Sequence, residues 1–271
     1  MRRRLILPLA LCLLLTACST VAEYASPVPS PEGSAAPVPS ASTPPEETAA
    51  PAPEWGEQVY MTAYAVEGRP EPVFAPEYRL PEIENAQGVS AYEAINAYYA
   101  AALDDLASSA AELSGWAVDD FKASQITGDP FYAYVDTERY EISLETPARV
   151  SVLRSHYSNV GGPSPAMYPV GDTFDLTTGT RLTFAGLFTC SEEEARQRVL
   201  DAVLALNAQG AYAGAVLDEG NLTAAFQPEQ FYLTEDSLVC YFPDGDLPGA
   251  VGSVTFAVPY TDLEDILTPW K

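Results

Sequence analysis

The sequence predicts an α+β fold with two small units of largely antiparallel sheet, each packed by a helix, after a disordered Pro-rich tether. The composition is the first observation, because 47% of the 271 residues are hydrophobic and 19% are charged, which is enough apolar side chain for a core. The second is a pair of amphipathic helical patterns, each followed by several short strand-like runs. Helices separated by runs of strands are typical of α+β folds.

The N-terminus carries the features of an export signal. Three arginines precede an apolar run that ends in Leu15-Thr16-Ala17-Cys18. Residues 5–17 would span about 20 Å as a helix, against a hydrocarbon core of about 30 Å, so a signal peptide over 1–17 is favoured over a membrane span.

The tetrapeptide before and including Cys18 resembles the lipobox of bacterial lipoproteins, in which the cysteine is acylated and becomes the new N-terminus. This resemblance implies cleavage after Ala17 and lipidation of Cys18. The mature chain would then be anchored to the outer face of the bacterial cytoplasmic membrane. An ordinary secretory signal with a chance cysteine is the alternative.

Residues 18–57 form the predicted tether. This segment holds nine prolines and no lysine or arginine, and alanine, serine, threonine, valine and glutamate dominate the rest. Such a composition cannot bury a core and extends the chain, so a plain spacer is favoured over a proline-motif ligand.

The first folded unit is predicted over 58–149. Alternating apolar residues at 59–66 predict a strand. Ser90 and Glu93 have the spacing of a capping box at the start of a long helix, which is predicted to end near Gly115. Further strands are predicted at 131–135, 140–144 and 148–157.

The second unit is predicted over 150–271. A second capping box, Ser191 with Glu194, opens a helix that is predicted to stop at Gly210. Strands are predicted at 168–176, 181–184, 230–233, 237–242 and 253–258, and a short closing helix at 261–267.

The second unit also contains a series of aromatic and turn motifs: YSNVGGPSP at 157–165, FDLTTG at 174–179, LTFAGLF at 182–188, FYLT at 231–234, VCYF at 239–242 and VPYTDL at 258–263. Together they resemble the exported C-terminal domain of RsiV-type anti-sigma factors over most of 150–268. The stretch 58–149 is similar, more weakly, to the domain that precedes it there and in PdaC-type peptidoglycan deacetylases.

The resemblance implies a non-enzymatic recognition or sensing module at the cell surface. In RsiV-type proteins this region binds lysozyme, and in the deacetylases the chemistry belongs to a separate domain. The expected ligand is therefore a cell-wall component such as peptidoglycan, or a basic wall-directed protein such as lysozyme. The expected ligand loop is Gly161-Gly162-Pro163-Ser164-Pro165, where Ser164 replaces the histidine that the family's loop usually carries.

The charge balance limits the classes of partner. Acidic residues outnumber lysine and arginine 38 to 13, which gives a formal net charge of -25. This excess of negative charge argues against nucleic-acid binding and favours a basic partner.

The sequence predicts no catalytic residues, metal site or cofactor. His156 is the single histidine, and a hydrogen-bonded strand histidine is favoured over a general base or a pH sensor. The Asp244-Gly245-Asp246 turn lacks the ligand spacing of an EF-hand.

Two alternatives to a recognition module remain open at this point. One is an enzyme or enzyme accessory acting on peptidoglycan glycan, since a glycosidase needs only two carboxylates. Asp119, Asp120, Asp136 and Glu138 are the candidates for that pair, although solvated surface acids are the favoured interpretation. The other alternative is a structural envelope protein.

The cysteines predict one disulfide. Cys12 would leave with the signal peptide and Cys18 would carry lipid, so Cys190 and Cys240 remain as a pair in an export compartment. Two independent buried thiols are the alternative.

Overall fold

The computed structural model describes residues 50–163 and 165–269. The predicted signal peptide, Cys18, most of the tether and Ser164 lie outside the described residues. The described part has a five-stranded and a three-stranded sheet, each packed by helices, which confirms the α+β prediction.

The larger sheet has the strand order β1-β2-β3-β4-β5. Its strands are β1 (Trp55–Met61), β2 (Glu77–Ile83), β3 (Val135–Glu145), β4 (Arg149–Asn159) and β5 (Ala166–Asp175). All neighbours are antiparallel except β2 and β3. A parallel pair needs a long crossover, and helix α1 (Ser90–Thr127) lies in that connection and packs on the sheet.

Helix α1 is longer than predicted. It continues past Gly115 to Thr127, and Gly128 ends it in the left-handed region with φ 80, its N–H donating to the carbonyl of Ser124. A glycine inside a helix costs about 1 kcal/mol relative to alanine. The helical turns after Gly115 offset this cost, because they bury Ala117 completely in the apolar core.

The capping box predicted at the start of α1 is wrong for Ser90. Val89 occupies the N-cap position and Ser90 is already helical, so no side chain caps the first turn. Glu93 still satisfies a backbone donor, because its Oε1 accepts a hydrogen bond from the N–H of Gly88 at 3.0 Å.

The smaller sheet contains three antiparallel strands, which match their predicted positions closely. They are β6 (Phe231–Leu233), β7 (Ser237–Phe242) and β8 (Val254–Pro259). Helix α2 (Glu192–Ala208) packs on this sheet through Ala195, Val199 and Val203, and its N-cap Ser191 accepts a hydrogen bond from the N–H of Glu194, as predicted.

Three local predictions of the second unit need correction. Residues 181–184 form only a single bridge, between Arg181 and Phe174, and not a strand. The closing helix is reduced to a 3-10 turn at Tyr260–Asp262 followed by further turns. A short helix, α3 (Glu219–Ala225), was not predicted.

The two sheets pack closely at β5 and β6. A Cβ added to Gly171 would lie 1.8 Å from the carbonyl oxygen of Phe231, so only glycine fits there. The N–H of Gly171 also donates to the hydroxyl of Tyr241, and the Ser151 hydroxyl accepts from the N–H of Leu233. The described residues all belong to one compact unit, and the predicted boundary after residue 149 falls at the first residue of β4.

The predicted disulfide is absent. Cys190 and Cys240 are both free thiols. Cys240 lies on β7 inside the apolar core, where it packs as a small hydrophobic side chain and burial raises the pKa of its thiol. Cys190 is only partly buried, at the margin of the same core before α2.

Candidate functional site

An ion-paired network lies on the face of the larger sheet that carries His156. Alternate residues of a strand share a face, so Asp136 and Glu138 of β3 point the same way, as do Arg154 and His156 of β4. The register places Glu138 directly opposite His156.

His156 lies between two carboxylates. Its Nδ1 is 2.7 Å from Glu138 Oε2, and its Nε2 is 3.1 Å from Asp136 Oδ1. Arg154 continues the network, because its Nη1 donates to Glu138 Oε1 and its Nε donates to Asp172 Oδ2, both at 2.8 Å. The three carboxylates are at most 2% exposed.

Two tyrosines and a second arginine complete the network. Arg181 Nε and the Tyr98 hydroxyl both donate to Asp172 Oδ1, at 2.9 and 2.7 Å. The Tyr78 hydroxyl donates to Asp136 Oδ2. Burial and the neighbouring Asp172 carboxylate raise the pKa of Tyr98 to about 12, so it remains a neutral donor.

The charges of this network balance when His156 is protonated. Three carboxylates, Asp136, Glu138 and Asp172, face the three cationic groups of His156, Arg154 and Arg181. Burial by itself lowers the pKa of His156, but the two carboxylates outweigh it and raise that pKa to about 9. The imidazole is therefore protonated at neutral pH.

One oxygen of the network lacks an aligned donor. Asp136 Oδ1 is buried and lies 3.1 Å from His156 Nε2 in an ion pair that falls short of an aligned hydrogen bond. Burial raises the pKa of Asp136, but polar contacts with His156, Tyr78 and Ser158 outweigh this effect and lower it. Buried carboxylate oxygens normally accept hydrogen bonds, so Asp136 Oδ1 is an atom to which a ligand or water would donate.

A pocket of about 320 Å³, here called the His156 pocket, opens beside this network between α1 and strands β3 to β5. Its polar lining includes Asp136, His156 and Ser158, and its apolar wall includes Leu106 and Leu113 of α1.

Two aromatic rings flank the imidazole of His156. The ring of Tyr78 lies 6.4 Å from it, and the ring of Tyr168, which is 41% exposed and lines the pocket, lies 6.2 Å from it.

A second pocket of about 260 Å³, here called the Tyr134 pocket, lies at the C-terminal end of α1. The Tyr134 hydroxyl donates to Asp120 Oδ2 at 2.6 Å, and burial together with Asp120 raises the pKa of Tyr134 to about 12. The rings of Phe131 and Tyr132 also line it.

The predicted ligand loop touches both pockets. Gly161 lines the Tyr134 pocket and Gly162 lines the His156 pocket. Pro163 and Pro165 are exposed and line neither.

Of the four carboxylates considered for a glycosidase pair, Asp136 and Glu138 are brought together on either side of the His156 imidazole, whereas Asp119 and Asp120 lie apart from them on α1. Asp119 and Asp120 are exposed on α1, where Asp119 Oδ1 lies 3.8 Å from Lys122 Nζ. Asp136 and Glu138 are buried in the network, where each faces a cation.

Asp244 and Asp246 lie exposed in a turn, and the described residues contain no group of three or more His, Cys, Asp or Glu placed to hold a metal.

His156, Asp136 and Glu138 were candidates from the sequence, but a hydrogen-bonded strand histidine and solvated surface acids were the favoured interpretations. The second interpretation is wrong for Asp136 and Glu138, which are buried. Arg154, Asp172 and Arg181 were not considered. The only available signal was the alternation of charged residues within β3 and β4, which places Arg154 on the same face as His156. Which charged residues pair across neighbouring strands depends on the strand register, and no local sequence pattern encodes that register.

Across the described part of the chain, no helix combines the length and the apolar character that a membrane crossing requires.

Comparison with known proteins gives a distant sequence relative and several similar solved structures, among them two of the DUF3298 family. No protein-family model matches the chain. Esterase Rv3036c of Mycobacterium tuberculosis is 25% identical over 139 residues, which is 51% of this chain and 61% of that protein. The alignment therefore spans about three fifths of the mycobacterial protein.

The two structures establish the fold alone. A DUF3298-family member from Bacteroides fragilis has a TM-score of 0.61 at 17% identity, covering 80% of this chain and 94% of its own. A DUF3298-family protein from Pseudomonas aeruginosa has a TM-score of 0.56 at 12% identity, covering 82% of this chain and 96% of its own. The chain thus has the fold of structures assigned to that family of unknown function.

Proposed function

We propose that this chain is a non-enzymatic recognition or sensing module of the bacterial cell surface, with the His156 pocket as its binding site. Lipid on Cys18 would anchor it to the outer face of the cytoplasmic membrane. Its ligand would be a cell-wall component such as peptidoglycan, or a basic wall-directed protein such as lysozyme. The observation that carries the proposal is the position of the His156 imidazole between two carboxylates.

This position suits binding better than proton transfer. A histidine that acts as general base needs a neutral nitrogen within reach of a hydroxyl or a water. Nδ1 of His156 faces Glu138 at 2.7 Å, Nε2 faces Asp136 at 3.1 Å, and the pKa of about 9 keeps both nitrogens protonated at neutral pH. The imidazolium is instead held between the carboxylates of Glu138 and Asp136 and forms a rigid part of the pocket wall.

The pocket itself supports a binding role. It has an apolar wall on α1, a few convergent polar groups and an exposed ring at Tyr168, which is the usual composition of a small-molecule or residue-sized site. The net charge of -25 supports attraction of a basic partner at a distance.

Hydrolysis is the competing function, because the mycobacterial relative is named as an esterase. The two functions predict different results in one experiment. Full-length protein in detergent would be immobilised and exposed to lysozyme, to peptidoglycan fragments and to a chromogenic ester, at low and moderate salt.

We expect saturable binding that persists at moderate salt, is weakened by Tyr168→Ala, and gives no glycan or ester product. Trp116→Ala is the matched control, since Trp116 is an exposed aromatic residue on α1 that lines neither pocket. Turnover that is lost in His156→Gln would overturn the proposal in favour of a hydrolase, and absence of binding to both wall ligands would overturn it as well.

The anchor is tested separately. Cys18→Ser is expected to release the protein from the membrane fraction, and Cys12→Ser, which changes a cysteine within the predicted signal peptide, is expected to leave it there. Retention of Cys18→Ser in the membrane fraction would contradict lipid anchoring at Cys18.

A further inference from the structure

We infer that the His156 pocket takes one ring of a neutral saccharide, which stacks on Tyr168 and donates a hydroxyl or amide hydrogen to Asp136. This inference rests on the proposed function and narrows its ligand to the glycan part of the wall.

The charge balance of the network selects against charged ligands. Beneath the pocket, three carboxylates are matched by His156, Arg154 and Arg181, so no uncompensated charge remains to attract an ion. A charged ligand would lose its hydration on entering the pocket and gain no opposite charge in return. A neutral ligand with several hydroxyl groups avoids that cost.

The exposed ring of Tyr168 provides a stacking surface. Tyr168 lies opposite His156 in the β4–β5 register, and its ring plane is tilted 36° from the imidazole at a distance of 6.2 Å. Two carboxylates hold His156 in place, and His156 in turn limits the movement of the neighbouring Tyr168 ring. The apolar C–H face of a pyranose matches an exposed aromatic ring, whose own face is apolar while its hydroxyl stays hydrated.

The unsatisfied oxygen of Asp136 provides the polar contact. Oδ1 is buried, lies in a residue that lines the pocket and has no aligned donor among the described residues. Saccharide hydroxyls and acetamido N–H groups are neutral donors of the required kind. Ser158, on the same pocket wall, contacts Asp136 and adds its hydroxyl to the polar lining of the pocket.

The Tyr134 pocket lies next to the His156 pocket and offers a place for a second sugar ring. The His156 pocket has about 320 Å³ and the Tyr134 pocket about 260 Å³. Consecutive residues, Gly161 and Gly162, line one pocket each, so the two lie side by side along the second half of α1. Phe131 and Tyr132 would give the second pocket its own aromatic surface.

The test is calorimetric titration of the full-length protein with a neutral oligomer of N-acetylglucosamine, alongside peptidoglycan fragments and lysozyme. We expect saturable binding of the oligomer by the wild type and by Trp116→Ala. Tyr168→Ala should weaken it about tenfold or more, whereas Tyr168→Phe, which keeps the ring, should remain within about twofold of wild type.

Asp136→Ala, which removes the acceptor oxygens, tests the polar contact and should weaken binding of the oligomer, and circular dichroism of each variant establishes that it is folded. The exposed Tyr168 variants test the inference independently if the buried Asp136 variant does not fold. Binding of peptidoglycan fragments or lysozyme without binding of the oligomer would overturn the saccharide inference and leave the proposed function standing. Oligomer binding that Tyr168→Ala does not weaken would also overturn it, and failure of all three ligands to bind would overturn both.

Discussion

His156 Nδ1 lies 2.7 Å from Glu138 Oε2, and the two residues are direct partners across the β3–β4 ladder. Glu138 is 1% exposed, so this contact is made away from bulk water, where an ion pair is screened little. The same carboxylate also accepts from Arg154. Each of the buried charges therefore depends on at least one other for its compensation.

The first prediction concerns the pH dependence of stability. The pKa of His156 is about 9 in the folded protein and near 6.5 in an unfolded chain. A raised pKa stabilises the fold fully below about pH 6.5, and this stabilisation is lost as the pH rises through about 9. The free energy of unfolding should therefore fall by about 2–3 kcal/mol across this range. Urea unfolding at pH 6, 7.5 and 9.5 measures it.

The control is His156→Gln, which removes the titrating group. Its stability should be lower than that of the wild type at pH 6 and should show a much flatter profile between pH 6 and 9.5. Parallel profiles for the two proteins would contradict the assignment.

The second prediction concerns Arg154, which bridges Glu138 and Asp172. Replacing it with methionine keeps much of the side-chain volume but leaves two buried carboxylates without this partner. We expect Arg154→Met to lower the free energy of unfolding by about 3–5 kcal/mol at pH 7.

Arg154→Lys is the matched comparison, because it keeps the charge and loses the second hydrogen-bonding arm. Its loss of stability should be clearly smaller, as measured by chemical unfolding. Equal losses for Met and Lys would mean that geometry and packing, and not charge, dominate at this position.

The third prediction concerns the close approach of the two sheets at Gly171. An added Cβ would lie 1.8 Å from the backbone oxygen of Phe231, which cannot move without shifting β6. Gly171→Ala should lower stability by about 1–3 kcal/mol or more, as expected for overpacking.

Gly186→Ala serves as the control for this change, because there the nearest atom to an added Cβ is Thr183 Oγ1 at 3.5 Å, an ordinary contact. Thermal melting of both variants should show a large decrease only for Gly171→Ala. Similar melting temperatures for the two would contradict the packing of β5 against β6.

The fourth prediction concerns the two thiols. In the native protein a thiol reagent should modify Cys190, which is partly buried, and leave Cys240 unmodified, because it is enclosed and burial raises the pKa of its thiol. After denaturation without a reductant, Cys240 should react as well. Of the two cysteines in the described residues, Cys190→Ser should leave only the slowly reacting Cys240. If the thiols of Cys190 and Cys240 become reactive only after reduction, a disulfide does form.

Local signals in the sequence were sufficient for several elements. Strands β6 to β8 and the start of α2 at Ser191 agree with prediction, because alternation and capping depend on residues close in the chain. Strand β2 was not predicted, and it contains Pro81, a residue type that is normally excluded from the interior of a sheet. Pro81 is accommodated because β2 pairs with β3 only at Glu77 and Tyr78, so no ladder bond is lost on that side.

The sequence by itself determined that Arg154 and His156 share a face, since they are two positions apart within the predicted strand at 148–157. Asp136 and Glu138 fall between the predicted strands at 131–135 and 140–144, and only the structure places both on one strand, β3. Only the tertiary structure decided that these faces meet. The pairing of Glu138 with His156 follows from the β3–β4 register, and the addition of Asp172 from the β4–β5 register. A shift of one residue in either strand would point these side chains to the opposite face, and the packing of the whole sheet against α1 is what excludes that shift.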